Sequence, residues 1–383
     1  MTPALRACLA LAFVHQVAQY ASRPLIPLLA TDLGAGSMEV GLIAGAYSTV
    51  QLLFAIGAGK LVDRVGARLP ALGGSLLLLV GVAGLTLAWH WALLLLLQML
   101  AGLAHLYVQL GYQSIVTGEA SGAQREYNVG LLTFLVSAGQ SAGPLIGGWA
   151  AEFLGNAGGM WAATAVSAVG LGLAWFLPRR AGGTAKPRHA GSTWSLLKDR
   201  DIAKAVYVGV AVLFAMDVLT TYFPLYAQQA GLSAGAIGLA LTVRGAATMA
   251  VRPFMGRILG RFGRQAVVIG SLIAGGGSIM LYGIWTNLWV VLAVSALAGL
   301  ALGLAQPLTI VMVTDAASEE QRGMALGLRL MGNRLGQAVS PVLFGFLATG
   351  LGLAPVFWIS GGLLAASAAL GRRGAPRGTP AAG

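Results

Sequence analysis

The second half of this chain repeats the first half at a constant offset. The positions that recur 197 residues later, without a gap, include Pro27 (Pro224), Gln124 (Gln321), Arg125 (Arg322), Gly139 (Gly336), Pro144 (Pro341) and Gly148 (Gly345). Glycine, at 56 of 383 residues, would match often by chance, whereas 14 prolines and a Gln-Arg pair would not. The chain is therefore predicted to fold as two related halves.

Composition places both halves in a membrane. Hydrophobic residues make up 57% of the chain, charged residues make up 9%, and the mean hydropathy is +0.78; a soluble domain carries roughly 25% charged residues. Stretches apolar enough to cross a hydrocarbon layer of ~30 Å cover residues 5–31, 40–62, 69–88, 91–117, 129–154, 160–177, 202–227, 236–259, 266–285, 288–314, 324–349 and 355–370. We predict an all-α membrane protein with twelve transmembrane helices in two six-helix bundles.

Two polar segments set the domain boundaries. We expect an N-terminal bundle over residues 1–178, a cytoplasmic linker over 179–201, a C-terminal bundle over 202–371 and a disordered cytoplasmic tail over 372–383. A duplicated hydrophobic chain of this size is typical of secondary transporters, whose substrate site lies between the two repeats. The expected partners are a small-molecule substrate, protons and membrane lipids, and we expect a monomer.

The net charge of +12 does not indicate nucleic-acid binding, because all but five of the 24 basic residues fall on one predicted side of the membrane. The exceptions lie within predicted helices and are Arg23, Arg244, Arg252, Arg329 and Arg334. Lys and Arg concentrate in cytoplasmic loops, so we expect both termini in the cytoplasm and the chain in a bacterial inner membrane. The basic loops would also meet anionic lipid head groups.

The residues that support enzyme or cofactor chemistry are missing from this sequence. The single cysteine, Cys8, excludes an internal disulfide, and the four histidines lack metal-ligand spacing. The segment Gly57-Ala58-Gly59-Lys60 lacks the first glycine and the Ser or Thr of a phosphate-binding loop. We therefore expect no cofactor, no metal, no enzymatic activity and no ATP-driven transport.

The loop after the second predicted helix, GKLVDRVGAR, resembles the signature loop of the major facilitator superfamily. The matching positions are Gly59, Asp63, Arg64, Gly66 and Arg68, and the second half keeps Gly256 and Arg261 but replaces the aspartate with Gly260. The resemblance implies the twelve-helix fold of that superfamily, in which two bundles rock about a central site.

The charges of this loop suggest a latch between the halves. Asp63 could stabilise the N-terminus of the eleventh helix, and Arg64 or Arg68 could reach Glu119. In the second half, Asp315 would serve Arg261 or Arg264 likewise; such pairs would hold the cytoplasmic side shut. The alternative is a solvated run of charges that only sets topology.

The fifth predicted helix carries a second motif. Its positions are Gly130, Gly139, Gly143, Pro144, Gly147 and Gly148, and they resemble the antiporter signature of drug–proton exporters in the same superfamily. Small residues let helices pack backbone to backbone, and proline bends a helix, so the motif suits a hinge between domains. The alternative is that these glycines serve only general packing between membrane helices. Such exporters also commonly carry an arginine in the fourth helix, where this chain has Gln98.

Deep polar residues mark the predicted substrate site. Asp217 is the only acidic residue predicted near a helix centre, where lost hydration favours its neutral form; it is our candidate for proton coupling, with a static pair to Arg244 or Arg23 as the alternative. The candidate substrate-binding residues are Gln16, Gln19, Tyr20, Arg23, His105, Gln109, Arg244, Arg329, Asn333 and Arg334.

The excess of deep arginine over aspartate predicts a small anionic or zwitterionic organic substrate. The helix 5 motif favours proton-coupled export. A proton-coupled importer or facilitator on the same fold remains the alternative, followed by a membrane receptor that transports nothing. A mostly apolar site, with the arginines bonded to helix-end carbonyls, would remove the preference for anions.

The latch hypothesis is testable by one isosteric change. Asp63→Asn removes the loop's only carboxylate, so transport should fall while expression and membrane insertion stay near the wild-type level. Transport rate and membrane-fraction abundance measured on the same preparations check this. A variant that transports at the full rate would leave the loop with only its topological role.

Overall fold

The computed structural model describes residues 2–118, 122–178, 199–317 and 322–371, which are helical apart from short turns. The helices are α1 (Pro3–Ser22), α2 (Leu25–Asp32), α3 (Ser37–Val65), α4 (Arg68–Thr86), α5 (Trp91–Gly118), α6 (Gly122–Trp175), α7 (Arg200–Thr221), α8 (Phe223–Gln229), α9 (Ala234–Val251), α10 (Met255–Phe262), α11 (Arg264–Tyr282), α12 (Leu288–Ala316), α13 (Arg322–Leu351) and α14 (Leu353–Gly371). The linker, except for its last residues, and the tail lie outside the described residues.

Several predicted spans are broken where the sequence analysis drew continuous helices. Span 1 divides into α1 and α2 at Arg23-Pro24, and span 7 divides into α7 and α8 next to Pro224, because proline lacks the N–H that would continue the helix. A 3-10 turn, Arg252–Phe254, links α9 to α10. With these pieces joined, the helices are consistent with the twelve predicted spans.

The boundary between spans 5 and 6 is a kink at Gly155, within the predicted gap between residues 154 and 160. α6 runs through both spans, and only Gly155 departs from helical geometry, with a φ of 72° that favours glycine. Within the described residues, eight helical stretches are long and apolar enough to cross a membrane, and the stretch 124–175 has 52 residues. At 1.5 Å per residue, that length is enough for two crossings.

The two halves meet tightly at one face of the molecule. We call it the closed face; it carries the α2–α3 and α8–α9 turns. A Cβ added to Gly345 of α13 would lie 2.7 Å from the Ser37 carbonyl oxygen of α3, and one on Gly148 of α6 would lie 2.7 Å from that of Ala234 in α9. Since real Cβ atoms do not approach so closely, only glycine permits this packing.

A second pair of contacts repeats the same symmetry. Gly41 of α3 packs on the carbonyl oxygen of Pro341, and Gly238 of α9 packs on that of Pro144. Gly41 and Gly238 are repeat partners, as are the two prolines. The sequence repeat therefore reappears as two equivalent seams, one between α3 and α13 and one between α6 and α9.

The opposite face, where α3–α4 and α10–α11 turn and Arg64, Arg68 and Arg261 lie, is the basic face. Here the halves are apart. Residues 53–57 of α3 are all exposed, which is more than one helical turn, and α10 has no buried residue. In the described part of the chain, no atom beyond the neighbouring turns of the same helix lies within 4 Å of a Cβ built on Gly59 or Gly256. The space between the halves is thus open at the basic face and sealed at the closed face.

The glycines of the helix 5 motif serve different contacts. Gly139, Gly143 and Gly147 pack against the α1 backbone within the first half, whereas Gly148 faces α9 across the seam. Gly130 has open space around it. Placing Gly147 at a domain interface, as the sequence suggested, is therefore wrong for this conformation; Pro144 and Gly148 hold that position.

The seam predicts the effect of adding a single methyl group. Gly238→Ala would force α9 away from the Pro144 carbonyl, and overpacking of this kind costs about 1–3 kcal/mol. The equilibrium should shift at least about fivefold toward molecules that are open at the closed face. Spin labels on the α2–α3 and α8–α9 turns should report a longer distance by electron–electron resonance. Gly277→Ala, which adds a methyl group to open space, should leave the distance unchanged; equal distances in both variants would contradict the proposed seam.

Candidate substrate cavity

A cavity of about 350 Å³ lies between the two halves. Its walls come from α1, α3, α5 and α6 of the first half and from α7, α9, α12 and α13 of the second. The cavity is the space that opens toward the basic face. A volume of this size suits a small organic molecule.

Asp217 lies buried in this cavity and connects the halves. Its Oδ1 is 3.7 Å from Nη2 of Arg23, which comes from the break between α1 and α2. Its Oδ2 accepts a hydrogen bond of 3.4 Å from Ser340. The guanidinium of Arg23 also lies 5.7 Å from the ring centre of Tyr20 and 5.4 Å from that of Tyr47. Of the two pairings left open by the sequence, the structure forms the one with Arg23.

Arg334 of α13 makes a second connection across the halves. It donates to Gln51 of α3 over 2.5 Å and to Gln109 of α5 over 3.5 Å. It also donates to Gln337 on its own helix over 3.4 Å. The arginine is therefore held by neutral amide oxygens rather than by a carboxylate.

Arg244 of α9 and Arg252 of the 3-10 turn that follows α9 differ in their partners. Arg252 donates to Ser137 of α6 over 3.0 Å and to Gln306 of α12 over 3.5 Å. The sequence analysis had placed this arginine outside the site, but it lines the cavity. Nη1 of Arg244 is buried and has no hydrogen-bond partner among the described residues. A buried donor left in this way is costly unless a ligand or water accepts from it.

The charges of the cavity wall do not balance. Its ionised side chains are Arg23, Asp217, Arg244, Arg252 and Arg334. Four cations face one anion, so the cavity attracts negative charge, and its low-dielectric walls strengthen that attraction.

The remaining substrate candidates divide into two groups. Those that line the cavity with the charged residues are Gln16, Tyr20, His105, Gln109 and Asn333. Arg329 does not line it and donates instead to Thr309 of α12 over 2.9 Å. Gln19 lines a separate space of about 20 Å³ beside Gln98, so neither Gln19 nor Arg329 can touch a solute in the cavity in this conformation.

The sequence analysis did not predict that two histidines would be in contact. Nε2 of His15 and Nδ1 of His105 are 2.9 Å apart, on α1 and α5. The sequence analysis noted that the four histidines lack metal-ligand spacing, and 90 residues separate these two in the chain. Only helix packing brings them together, so a spacing rule could not find the pair.

The gating residues lie at the basic face, outside the cavity. Asp63 and Arg64 are exposed and form no ion pair in the described part of the chain, while Arg68 donates to the Trp175 carbonyl over 2.7 Å. Asp315 pairs with Arg264 within the second half, and Arg261 stacks near Phe262 instead. The proposed partner Glu119 lies outside the described residues.

The family model of the Major Facilitator Superfamily matches residues 8–237 and 227–382 of this chain. Among curated proteins, a 155-residue stretch is 30% identical to the multidrug resistance protein MdtG of Yersinia enterocolitica and covers 39% of this chain and 37% of that protein. An uncharacterised MFS-type transporter of Methanocaldococcus jannaschii is 22% identical over 348 residues, covering 88% of this chain and 89% of the relative.

Among solved structures, the fold matches that of the nucleoside transporter NupG. The TM-score is 0.80 at 12% identity, and the match covers 97% of this chain and 98% of the other. An identity this low shows a shared fold and carries no information about the substrate.

Proposed function

The chain belongs to the Major Facilitator Superfamily, and we propose that this membrane transporter exports a small anionic or zwitterionic organic solute in exchange for protons. The superfamily and the fold indicate a transporter rather than an enzyme. Direction, coupling ion and substrate class are our inferences from the charges, the seams and the motifs described above.

The observation that carries the proposal is the Arg23–Asp217 pair. It joins the first half to the second at the end of the cavity nearest the closed face, because Arg23 also lines the small space formed by α2 and α3. Protonation of Asp217 would remove the attraction between the halves at this point. The charge of one carboxyl group would then bias which face is closed, which is what coupling requires.

The orientation of the cycle follows from the basic residues. If the basic face is cytoplasmic, as the distribution of Lys and Arg favours, this conformation is open to the cytoplasm with Asp217 ionised and paired. That is the state reached after a proton has been released inside. A solute then enters from the cytoplasm, the halves rock so that the seams open, and a new proton reaches Asp217 from outside as the solute leaves.

The excess of cavity arginines supports a solute with an anionic group. The exporter direction is supported by the helix 5 motif and by partial similarity to a protein named for multidrug resistance. That similarity covers 37% of the relative, so the relative's substrates are not transferred to this chain.

An importer is the second candidate, and one observation favours it. A solute that is only anionic would draw Arg23 away from Asp217, and the carboxyl group would then bind a proton more readily. The solute and the proton would bind together and move in the same direction, which describes a proton-coupled importer.

The coupling role of Asp217 is testable by comparing driven transport with exchange. In proteoliposomes, Asp217→Asn should abolish accumulation driven by a pH gradient and should retain counterflow of a solute identified by thermal-shift screening of organic acids and zwitterions. Asp32→Asn, which removes a carboxylate bonded to Asn156 outside the cavity, is the matched control. A folded Asp217→Asn protein that still accumulates solute at the wild-type rate would rule out this site for the proton.

A further inference from the structure

We propose that the transported solute is a zwitterion whose cationic group binds at Asp217 and whose anionic group binds at Arg244. The inference rests on the proton-coupled export proposed above and specifies the substrate class of the same cavity. It follows from two side chains of opposite charge, Asp217 and Arg244. Both line the same cavity, both have unused hydrogen-bonding capacity, and they do not pair with each other.

The negative pole is Asp217. Its two contacts, 3.7 Å to Arg23 and 3.4 Å to Ser340, are both longer than the 2.7–2.9 Å of a charge-assisted hydrogen bond. An ionised carboxylate has about four acceptor sites, so most of its capacity is unused. A protonated amine of a solute could approach it more closely than either present neighbour does.

The positive pole is Arg244. Nη1 of this arginine is fully buried and lacks a partner in the described part of the chain, although the side chain lines the cavity. Asp217 and Arg244 do not approach within the 4.0 Å of an ion pair among the described residues. A solute with two charged groups could therefore sit between them, satisfying both.

The other charged groups of the cavity already have partners. Arg334 is held by three glutamine oxygens, Arg252 by Ser137 and Gln306, and Arg23 by Asp217 and two tyrosine rings. The titratable and charged groups that line the cavity with Asp217 are, by element, Tyr20 of α1, Arg23 at the α1–α2 break, Tyr47 of α3, His105 of α5, Arg244 of α9, Arg252 of the 3-10 turn and Arg334 of α13. Ser340 of α13 donates a hydrogen bond to Asp217. Among the titratable and charged groups, Arg244 retains an unbonded buried nitrogen.

The exchange of solute for proton requires a cation on the solute. In the proposed export cycle, solute and proton must exclude each other from the cavity. An ammonium group at Asp217 does so, because it stabilises the ionised carboxylate that the proton would neutralise. A pure anion has the opposite effect, and a pure cation would leave Arg244 unpaired and would face an excess of arginine.

The test uses sets of compounds that share a skeleton and differ in charge. Each set contains an amino acid, its N-acetyl derivative and its amide, so that the members are zwitterionic, anionic and cationic; leucine, phenylalanine and serine provide three skeletons. Binding to the purified full-length protein is measured by thermal shift and by calorimetry. For at least one skeleton, the zwitterion should bind at least about tenfold more tightly than both derivatives, since each derivative loses one charge-assisted hydrogen bond.

Variants assign the two poles. Asp217→Asn should remove the preference for the zwitterion over the N-acetyl anion, and Arg244→Gln should remove its preference over the amide cation. Arg257→Gln, at the exposed basic face, removes the same charge and should preserve both preferences. In weakly buffered solution near the pH at which Asp217 is half protonated, the zwitterion should release protons on binding, and Asp217→Asn should abolish that release.

The outcomes separate this inference from the export proposal. Zwitterion binding that needs both poles, combined with no transport driven by a pH gradient, would support the substrate class and overturn proton-coupled export. N-acetyl anions that bind as tightly as the zwitterions, or bind with proton uptake, would overturn the zwitterion and favour the importer. Absence of binding by the zwitterions of all three skeletons would also overturn the proposal.

Discussion

The structure depends on backbone contact between the halves at four glycines. Gly41, Gly148, Gly238 and Gly345 let α3 pack on α13 and α6 on α9 so closely that a methyl group would not fit. Close packing of this kind has few intermediate arrangements, because any separation loses the dispersion contacts at once. Each seam can therefore be closed or open with few intermediate arrangements, as two discrete conformations require.

Charged groups also connect the two halves. The pair Arg23–Asp217 and the bonds from Arg334 to Gln51 and Gln109 all run from one half to the other. A polar contact across a moving interface must be remade when the halves rock, and its free energy then depends on what occupies the cavity. In the proposed cycle, solute and proton act on the conformation because they compete for these contacts, without a separate transmission pathway.

The charge balance of the cavity decides which exchanges are possible. Four arginines and one aspartate attract an anion, but attraction alone would carry a proton along with the solute. Exchange requires that the solute and the proton oppose each other at Asp217. The charge of the solute therefore decides whether the solute is exchanged for a proton or moves with one. Arg244, with its unbonded nitrogen, favours a solute that also carries an anionic group.

The sequence by itself determined the membrane class, the repeat and the deep position of Asp217, because hydrophobic length and periodicity are local properties. It also predicted twelve spans, with which the observed helices are consistent. The helix 5 motif also predicted an interface on that helix, but it did not distinguish Gly148, which faces α9, from Gly147, which packs on α1. Only the tertiary structure decided that Asp217 faces Arg23, that His15 meets His105, and that Arg329 turns away from the cavity. Those choices depend on the rotation of each helix and on which face is open, and both are set by packing between residues far apart in the chain.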